Sequence, residues 1–455
     1  MSAAMKYDEG SFKDPSGRVF YLDGEVYRSA DSETIKTLKE FFVSNSFEKI
    51  KSYLIETKFV SNPEGDGEVL WHKKVSHFSY CYEWTPEQLK DAALATIEIQ
   101  LALLEDGYTL KDATPFNICF ISGQPKFIDL PSICKMEEGS AWSAFTEYLE
   151  NFVYPLMAFE YLKIPVNKFT MSEMGKINME EASALFQKFS FLKPGVLKYI
   201  RIPNYFRNKA QKDETVNTVD KQTKVPKSVI VNNCRGLKDF VSGLKLNFNS
   251  THWVSYKETR TYSSDDKNQK AEFIRGYLKD ANFKTGLDIG ANTGEYSKLL
   301  SEFCKDVVAV EYDQQCCDRI YQMTKEEKLP ILPIQMNFSS PTPAMGWANV
   351  ERKSFMERFE SSDIVLALAV IHHLRITNNV PLDLVIKSFA RLGKRMVIEW
   401  VPETDVMVKK LLERRENTYT DYTEEGFQNA LKTYFKIEEV VELSQGRKLF
   451  GCTVK

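Results

Sequence analysis

The stretch that decides the fold reads Gly286-Leu287-Asp288-Ile289-Gly290-Ala291-Asn292-Thr293-Gly294-Glu295-Tyr296. A short apolar run encloses an acidic residue and leads into Gly-x-Asn-x-Gly, after which Tyr296, Leu299 and Leu300 recur at helical spacing. This pattern predicts a strand, a tight loop and a helix. Glycines in such a loop let a ligand approach the backbone, and the start of the helix offers free N–H groups. We therefore expect the first turn of a nucleotide-type α/β unit.

A second apolar run, residues 307–310, ends in Glu311, about twenty residues after the loop. A carboxylate at that distance is placed to accept hydrogen bonds from both hydroxyls of a ribose. A dinucleotide would instead need its pyrophosphate on the helix start, normally beside three glycines. Here Asn292 replaces the middle glycine and Glu295 brings a negative charge, which argues against a diphosphate.

The pattern Asp-x-Gly-x-x-x-Gly, followed by an acidic strand end, resembles the class I S-adenosylmethionine-dependent methyltransferases. The resemblance implies that Gly290 and Gly294, with Asn292 between them, flank the methionine moiety of the cofactor. It also implies that Asp288 helps to hold the cofactor's amino group and that Glu311 binds its ribose. The alternative is a glycine loop that only turns the chain.

The C-terminal part of the chain alternates strand-like and helix-like runs and ends in two strands joined by a turn. The strand-like runs are residues 286–289, 307–310, 331–336, 363–370, 395–400, 435–441 and 448–453. This order predicts an α/β fold with a doubly wound, Rossmann-like parallel sheet and an antiparallel hairpin at its end. We expect the S-adenosylmethionine-binding methyltransferase domain to span residues 285–455.

The rest of the chain predicts a second folded part, because 455 residues suffice for two or three domains, each with its own core. Residues 1–207 mix strand and helix signals and predict an α+β domain. We expect this domain either to bind the acceptor substrate or to regulate the C-terminal domain. Residues 208–235 are polar and predict a linker. Residues 236–284 predict connecting or lid helices.

Asp112, Asn117 and then Asp129 resemble the catalytic loop and the metal-binding aspartate of kinase-like phosphotransferases. The resemblance implies that Asp112 is a base and that Asn117 and Asp129 hold Mg²⁺. The chain departs from that pattern at Leu110-Lys111, where His-Arg or His-Gly is usual, and it lacks a convincing glycine-rich phosphate loop. The alternative is an Asx-type turn beside an ordinary hairpin.

Polar side chains follow three further strands of the expected sheet. Resemblance assigns Asn337 to adenine N6 and Phe338 to the adenine ring, with a turn-forming asparagine as the alternative. His372 and His373 follow the fourth strand and could include a general base, for which we prefer His373, since imidazole titrates near neutral pH. Either ring could instead be neutral and packed. Glu399 could orient substrate, act as base or form a structural ion pair.

Composition excludes several classes of protein. A formal net charge of −3 gives no footprint for nucleic acid. Eight cysteines without a Cys-x-x-Cys pair predict reduced thiols and no metal site. The start of the sequence lacks signal-peptide features and no apolar run reaches membrane-spanning length, so we expect a cytoplasmic protein.

Residues 186–207 combine aromatic side chains with lysines and arginines. This mixture suits a membrane surface or single-stranded nucleic acid, or alternatively a core helix pair with a solvated basic edge.

Stretches along nearly the whole chain are similar to the nodulation protein NoeA-like methyltransferases. They include residues 12–19, 82–84, 89–94, 110–113, 116–117, 127–129, 366–374 and 398–402. The resemblance implies methyltransferase activity with an undefined acceptor. We expect S-adenosylmethionine as cofactor and an oxygen or nitrogen of a small-molecule or glycan-like compound as acceptor. The alternatives are a bifunctional methyltransferase and kinase-like enzyme, and a catalytically silent scaffold that binds the cofactor.

Overall fold

The computed structural model describes residues 5–14, 17–171, 176–187, 192–212, 224–246, 264–279, 282–413 and 419–455. Within these ranges the strands form sheets of five, seven, two and two strands. No helix in them is long and apolar enough to cross a membrane.

The five-stranded sheet lies near the N-terminus, and all its pairs are antiparallel in the order β1-β2-β3-β5-β4. Its strands are β1 (Lys6–Tyr7), β2 (Val19–Leu22), β3 (Glu25–Arg28), β4 (Thr57–Ser61) and β5 (Glu68–His72). Asp23 and Gly24, which join β2 to β3, both have positive φ, as the Asp-Gly turn of a hairpin requires. Helices Ser32–Phe41 and Asn45–Ile50 connect β3 to β4.

A long helix, Pro86–Glu105, follows the sheet. Thr85 caps it and forms a capping box with Gln88, and Pro86 occupies the first turn, where its missing N–H is not needed. Gly107, with φ of +80°, ends it. Beyond it, β6 (Tyr108–Leu110) pairs with β9 (Ile133–Lys135), and β7 (Ile118–Ile121) pairs with β8 (Gln124–Phe127).

A helical region follows β9. Its helices are Phe145–Tyr148, Leu149–Val153, Tyr154–Leu162, Asn167–Thr170, Met179–Leu185, Val196–Arg201, Ile202–Lys212, Lys227–Ser242 and Ser264–Leu278. The expected linker, 208–235, therefore begins and ends in helix. Ile230, Cys234 and Leu237 are buried at helical spacing, a signal that the polar residues between them obscured. Residues 247–263, part of the expected lid, lie outside the described residues.

The seven-stranded sheet has the order β12-β11-β10-β13-β14-β16-β15. Its strands are β10 (Phe283–Ile289), β11 (Cys304–Glu311), β12 (Ile331–Gln335), β13 (Ser362–Ala367), β14 (Gly393–Trp400), β15 (Phe435–Glu442) and β16 (Lys448–Val454). The first five strands of the order are parallel, and β16 is antiparallel to both neighbours. The α/β, Rossmann-like prediction is confirmed.

Helices connect the strands of this sheet. They are Glu295–Leu300, Gln314–Glu327, Phe355–Arg358, Leu382–Leu392, Val406–Leu412 and Glu424–Tyr434. The sheet reverses its order at β10 and β13, and in open α/β sheets ligands bind at such a reversal, beyond the carboxyl ends of the strands.

The N-terminal and C-terminal halves share a hydrophobic core. One cluster of buried side chains runs from Ile35 in the first half to Cys452 in the last strand. Polar contacts also cross the interface between the two halves: Asp91 accepts a hydrogen bond from Tyr321 at 2.7 Å and pairs with Lys325. The two halves therefore pack against each other through buried apolar side chains.

Candidate functional site

The glycine loop lies between β10 and the helix Glu295–Leu300. Gly290 and Gly294 have φ of +79° and +81°, a conformation that side chains rarely adopt. A Cβ on Gly294 would also lie 2.9 Å from the terminal methyl of Met323, so a larger residue would displace that side chain. Backbone N–H groups of Gly290 and Ala291 donate to the carbonyl of Val310 at 2.9 and 3.0 Å, which ties the loop to β11.

Asp288 is buried in β10 and only 2% exposed. Its Oδ2 accepts a hydrogen bond from the Ser297 hydroxyl at 2.6 Å. Burial raises the pKa of Asp288 to about 6, because the charged form loses hydration.

Glu311 ends β11, and both of its carboxylate oxygens are held. Oε2 accepts the backbone N–H of Asn292 and Oε1 that of Asp313, each at 2.7 Å. The first of these bonds joins the glycine loop to the end of the neighbouring strand. Burial raises the pKa of Glu311 to about 7, against the effect of the two N–H donors.

Asn337 and Phe338 follow β12. The Oδ1 of Asn337 accepts the N–H and the hydroxyl of Ser339 at 3.0 and 2.8 Å, so this side chain does form a local turn. The ring of Phe338 stacks on Phe389, with 5.4 Å between centroids. Both residues also line the cavity described below.

His372 and His373 follow β13 with their ring centroids 4.1 Å apart. The Nδ1 of His372 is enclosed and has no hydrogen-bond partner, whereas His373 is only half-buried. Burial, and to a lesser extent His373 and Lys270, keeps the pKa of His372 well below its usual value. Burial lowers the pKa of His373 to about 4. Both rings are therefore neutral near pH 7.

Glu399 is fully buried in β14 and lies in a network of charges. Its carboxylate pairs with Lys270 at 2.7 Å and with Arg447 at 3.1 Å, and Arg447 also pairs with Asp405 at 2.6 Å. Two cations and two anions thus balance one another. The ion-pair interpretation of Glu399 matches this geometry better than that of an open base.

A cavity of about 470 Å³ lies at the carboxyl ends of the parallel strands. Eight residues singled out from the sequence line it: Asp288, Gly290, Asn292, Glu311, Asn337, Phe338, His372 and His373. Gly294 and Glu399 do not; Gly294 starts the adjoining helix, and Glu399 holds two cations that do line the cavity.

Sequence reasoning missed several lining residues, notably Lys267, Lys270, Tyr296, Tyr312 and Arg447. Lys270 lies on the helix Ser264–Leu278 and Arg447 in the turn before β16. No local motif marks either of them, because only tertiary folding brings them to the cavity.

The remaining predicted residues form a separate cluster in the N-terminal half. Arg28 pairs with Asp14 and, at 2.5 Å, with Asp129. Burial and the negative charge of Asp129 raise the pKa of Asp112, and the buried Nδ2 of Asn117 has no hydrogen-bond partner. Among the described residues, no group of His, Cys, Asp or Glu is arranged to hold a metal ion.

The strand order, the glycine loop and the carboxylates on the first two strands together resemble those of class I S-adenosylmethionine-dependent methyltransferases. The residues fit that cofactor: the loop glycines leave room beside the backbone, and two carboxylates of the cavity, Asp288 and Glu311, have no ion pair with a cation among the described residues.

The chain is 29% identical over 437 residues to nodulation protein NoeA of Rhizobium meliloti (strain 1021). The aligned residues cover 93% of this chain and 90% of that protein. No family model matches the chain.

Similar solved structures include N-methyltransferase NodS from Bradyrhizobium japonicum WM9, with 13% identity and a TM-score of 0.31 over 42% of this chain and 98% of that chain. The bifunctional kinase-methyltransferase WbdD has 13% identity and a TM-score of 0.30 over 41% of this chain and 39% of that chain.

Proposed function

We propose that the protein transfers a methyl group from S-adenosylmethionine to an oxygen or nitrogen atom of a small-molecule or glycan-like acceptor. The observation that carries the proposal is Glu311, a half-buried carboxylate at the end of β11 whose two oxygens are anchored by backbone N–H groups of the glycine loop and of Asp313. Such a carboxylate suits paired ribose hydroxyls.

In this proposal Glu311 binds the ribose, Asp288 faces the amino group, and Asn337 and Phe338 contact the adenine. When bound, the cofactor supplies a methyl group activated by a positively charged sulfur. The raised pKa values of Asp288 and Glu311 support a cationic ligand, because a nearby positive charge stabilises their ionised forms and offsets the cost of burial.

His373 is the proposed proton acceptor. It is half-buried and lines the cavity, whereas the enclosed Nδ1 of His372 is not reachable by an acceptor without rearrangement. With a pKa of about 4, His373 is a weak base. We expect it to take a proton only as the new bond to carbon forms, when the acceptor's own proton becomes acidic.

The acceptor side of the cavity has a polar wall. Lys270 and Arg447 line it and are fixed by Glu399 and Asp405. Since these four charges balance, the wall favours a neutral, hydroxyl-rich acceptor over a strongly charged one. Glu399 acts here as a positioning residue, because it holds the two cations and does not line the cavity itself.

Titration calorimetry with S-adenosylhomocysteine tests the cofactor assignment. We expect binding by the wild type, a large loss in Glu311→Gln and no change in Glu302→Gln, whose side chain lies in an exposed ion pair. Equal affinities for the wild type and Glu311→Gln would contradict the assignment.

Radiolabelled S-adenosylmethionine with pools of glycans and small metabolites tests the transfer. His373→Ala should keep cofactor affinity and lose turnover. Cofactor binding without transfer to any pool would favour the scaffold alternative.

A second activity, kinase-like phosphotransfer, is favoured by one observation. The paired strands β6–β9 and β7–β8 bring Asp112 near Asp129, whose negative charge adds to burial in raising the pKa of Asp112. The backbone N–H of Ile128 donates to the carbonyl of Asn117 at 2.9 Å. Calorimetry with ATP and Mg²⁺ on the wild type and Asp129→Asn tests it. Binding that the substitution removes would support a bifunctional enzyme, and no binding would exclude one.

A further inference from the structure

A surface of the N-terminal half combines exposed apolar and basic side chains. Leu192 is 91% exposed, Tyr205 63% and Phe206 61%, and Leu197 and Ile202 are exposed as well. We call these five residues, with Lys193, Lys198 and Lys209, the basic aromatic face. Single exposed apolar residues are ordinary, but several within eighteen positions of one segment indicate a contact surface.

Two consecutive helices, Val196–Arg201 and Ile202–Lys212, present most of these side chains. Tyr205 and Phe206 follow Ile202 by three and four positions, so the three share one side of the second helix. The rings of Tyr205 and Phe206 contact each other edge to face, with 5.5 Å between centroids. The first helix buries Val196, Tyr199 and Ile200 and leaves Leu197 and Lys198 exposed.

The charge of this segment has a single sign. Residues 188–212 include seven lysines or arginines and no aspartate or glutamate, although the whole chain has a formal net charge of −3. Lys193, Lys198 and Lys209 are exposed. Arg207 pairs with Glu180 of the helix Met179–Leu185 at 2.5 Å.

We propose that the basic aromatic face binds the surface of an anionic lipid membrane. Interfacial helices place aromatic and aliphatic side chains at the boundary between headgroups and acyl chains, while lysines contact acidic headgroups. A nucleic acid would use the lysines and the aromatic rings but would leave Leu192, Leu197 and Ile202 exposed to water. The aliphatic residues therefore favour the membrane.

Cosedimentation of the full-length protein with vesicles tests this proposal. The vesicles contain either phosphatidylcholine alone or phosphatidylcholine with phosphatidylglycerol. We expect binding to the anionic vesicles only, and weaker binding at high salt. Tyr205→Ser/Phe206→Ser and Lys198→Gln/Lys209→Gln should each lower the partition coefficient by about tenfold or more.

The matched control is Val43→Ser/Leu384→Ser, which removes two exposed apolar side chains from other surfaces. It should bind like the wild type. Unchanged thermal unfolding and S-adenosylhomocysteine binding in Tyr205→Ser/Phe206→Ser would show that the fold and the methyltransferase site are intact.

Three results would overturn the proposal. One is a wild-type protein that stays in solution with both vesicles, and another is equal binding by the wild type and Tyr205→Ser/Phe206→Ser. The third is a dimer in light scattering that the same substitution dissociates, without vesicle binding, because the face would then join two copies of the chain.

Discussion

Two sets of carboxylates, one with and one without a cation beside it, distinguish the two halves of the molecule. Those of the cofactor cavity, Asp288 and Glu311, are held by hydroxyl or backbone N–H groups. Those of the N-terminal cluster, Asp14 and Asp129, are paired with the guanidinium of Arg28. Burial of a carboxylate without a cation raises its pKa and costs folding free energy, whereas a paired carboxylate remains ionised.

The difference teaches where a cationic ligand is still accommodated. The cavity carboxylates have no ion pair with a side chain among the described residues, so a positively charged cofactor would supply what they lack. Arg28 already provides a positive charge in the N-terminal cluster. The same residue type is thus without a cation in one half and paired with one in the other.

The largest effect on stability is expected at the interface between the two halves, where the fully buried carboxylate of Glu83 pairs with Arg358. Arg358→Met leaves Glu83 without a cation, and we expect the free energy of unfolding to fall by about 3–5 kcal/mol. Urea denaturation measures this. The control Arg391→Met breaks an exposed pair with Glu360 and should change stability by about 0.5 kcal/mol or less. Similar losses in both variants would contradict the role of burial.

An unpaired carboxylate should respond in the opposite way. Asp288→Asn removes a charge but keeps an acceptor for Ser297, so the free protein should be as stable as the wild type at pH 7.5, or more so. The affinity for S-adenosylhomocysteine should fall, because a hydrogen bond to a charged group contributes about 1.5–3 kcal/mol, or roughly ten- to a hundredfold. Thermal unfolding and calorimetry measure the two effects. If Asp288→Asn were less stable than the wild type and bound S-adenosylhomocysteine equally well, Asp288 would be a structural carboxylate, which would contradict the prediction.

The N-terminal cluster should show a smaller effect, because its charges are partly hydrated. Arg28→Met leaves Asp14 and Asp129 without their shared cation, and we expect a loss of about 1–2 kcal/mol in urea denaturation. Cofactor affinity should stay unchanged, since none of these residues lines the cavity. Lys39→Met, which breaks the exposed pair with Glu68, is the control. A drop in cofactor affinity would show that the two sites are coupled.

The smallest effect concerns pH. The folded-state pKa of Glu311, about 7, lies above its ordinary value of 4.5, so the folded free protein holds its proton longer than the unfolded chain does. Between about pH 4.5 and 7 the unfolded chain is ionised at Glu311 while the folded protein is still protonated there. The free energy of unfolding therefore falls as pH rises through this range. Affinity for S-adenosylhomocysteine should rise by about tenfold between pH 6 and 7.5. Calorimetry on the wild type and Glu311→Gln checks this, and an identical pH dependence in both would assign it to another group.

The C-terminal sheet was predictable from the sequence, and so were eight of the residues that line the cavity. Asp288 and Glu311 were identifiable because each belongs to a short local pattern: Asp288 precedes the glycine loop, and Glu311 ends the next strand along the chain. The hairpin at Asp23 and Gly24 and the capped helix from Pro86 were visible for the same reason: their signals are contained within a few neighbouring residues.

The acceptor side of the cavity was not predictable. Lys270 and Arg447 meet at Glu399 across separations of 129 and 48 positions, and no short-range pattern records such a meeting. The helix Lys227–Ser242 was missed because polar residues surround its buried stripe. The shared core was missed because composition does not reveal which apolar faces contact one another.

The continuous core has a consequence for how the chain can be divided. Because apolar side chains from both halves fill one interior, separating the halves would expose surface that each normally hides from water. We expect the protein to melt in a single cooperative transition, and either half expressed alone to aggregate. The N-terminal half is thus part of the folding unit, and removing it should destabilise the parallel sheet as well.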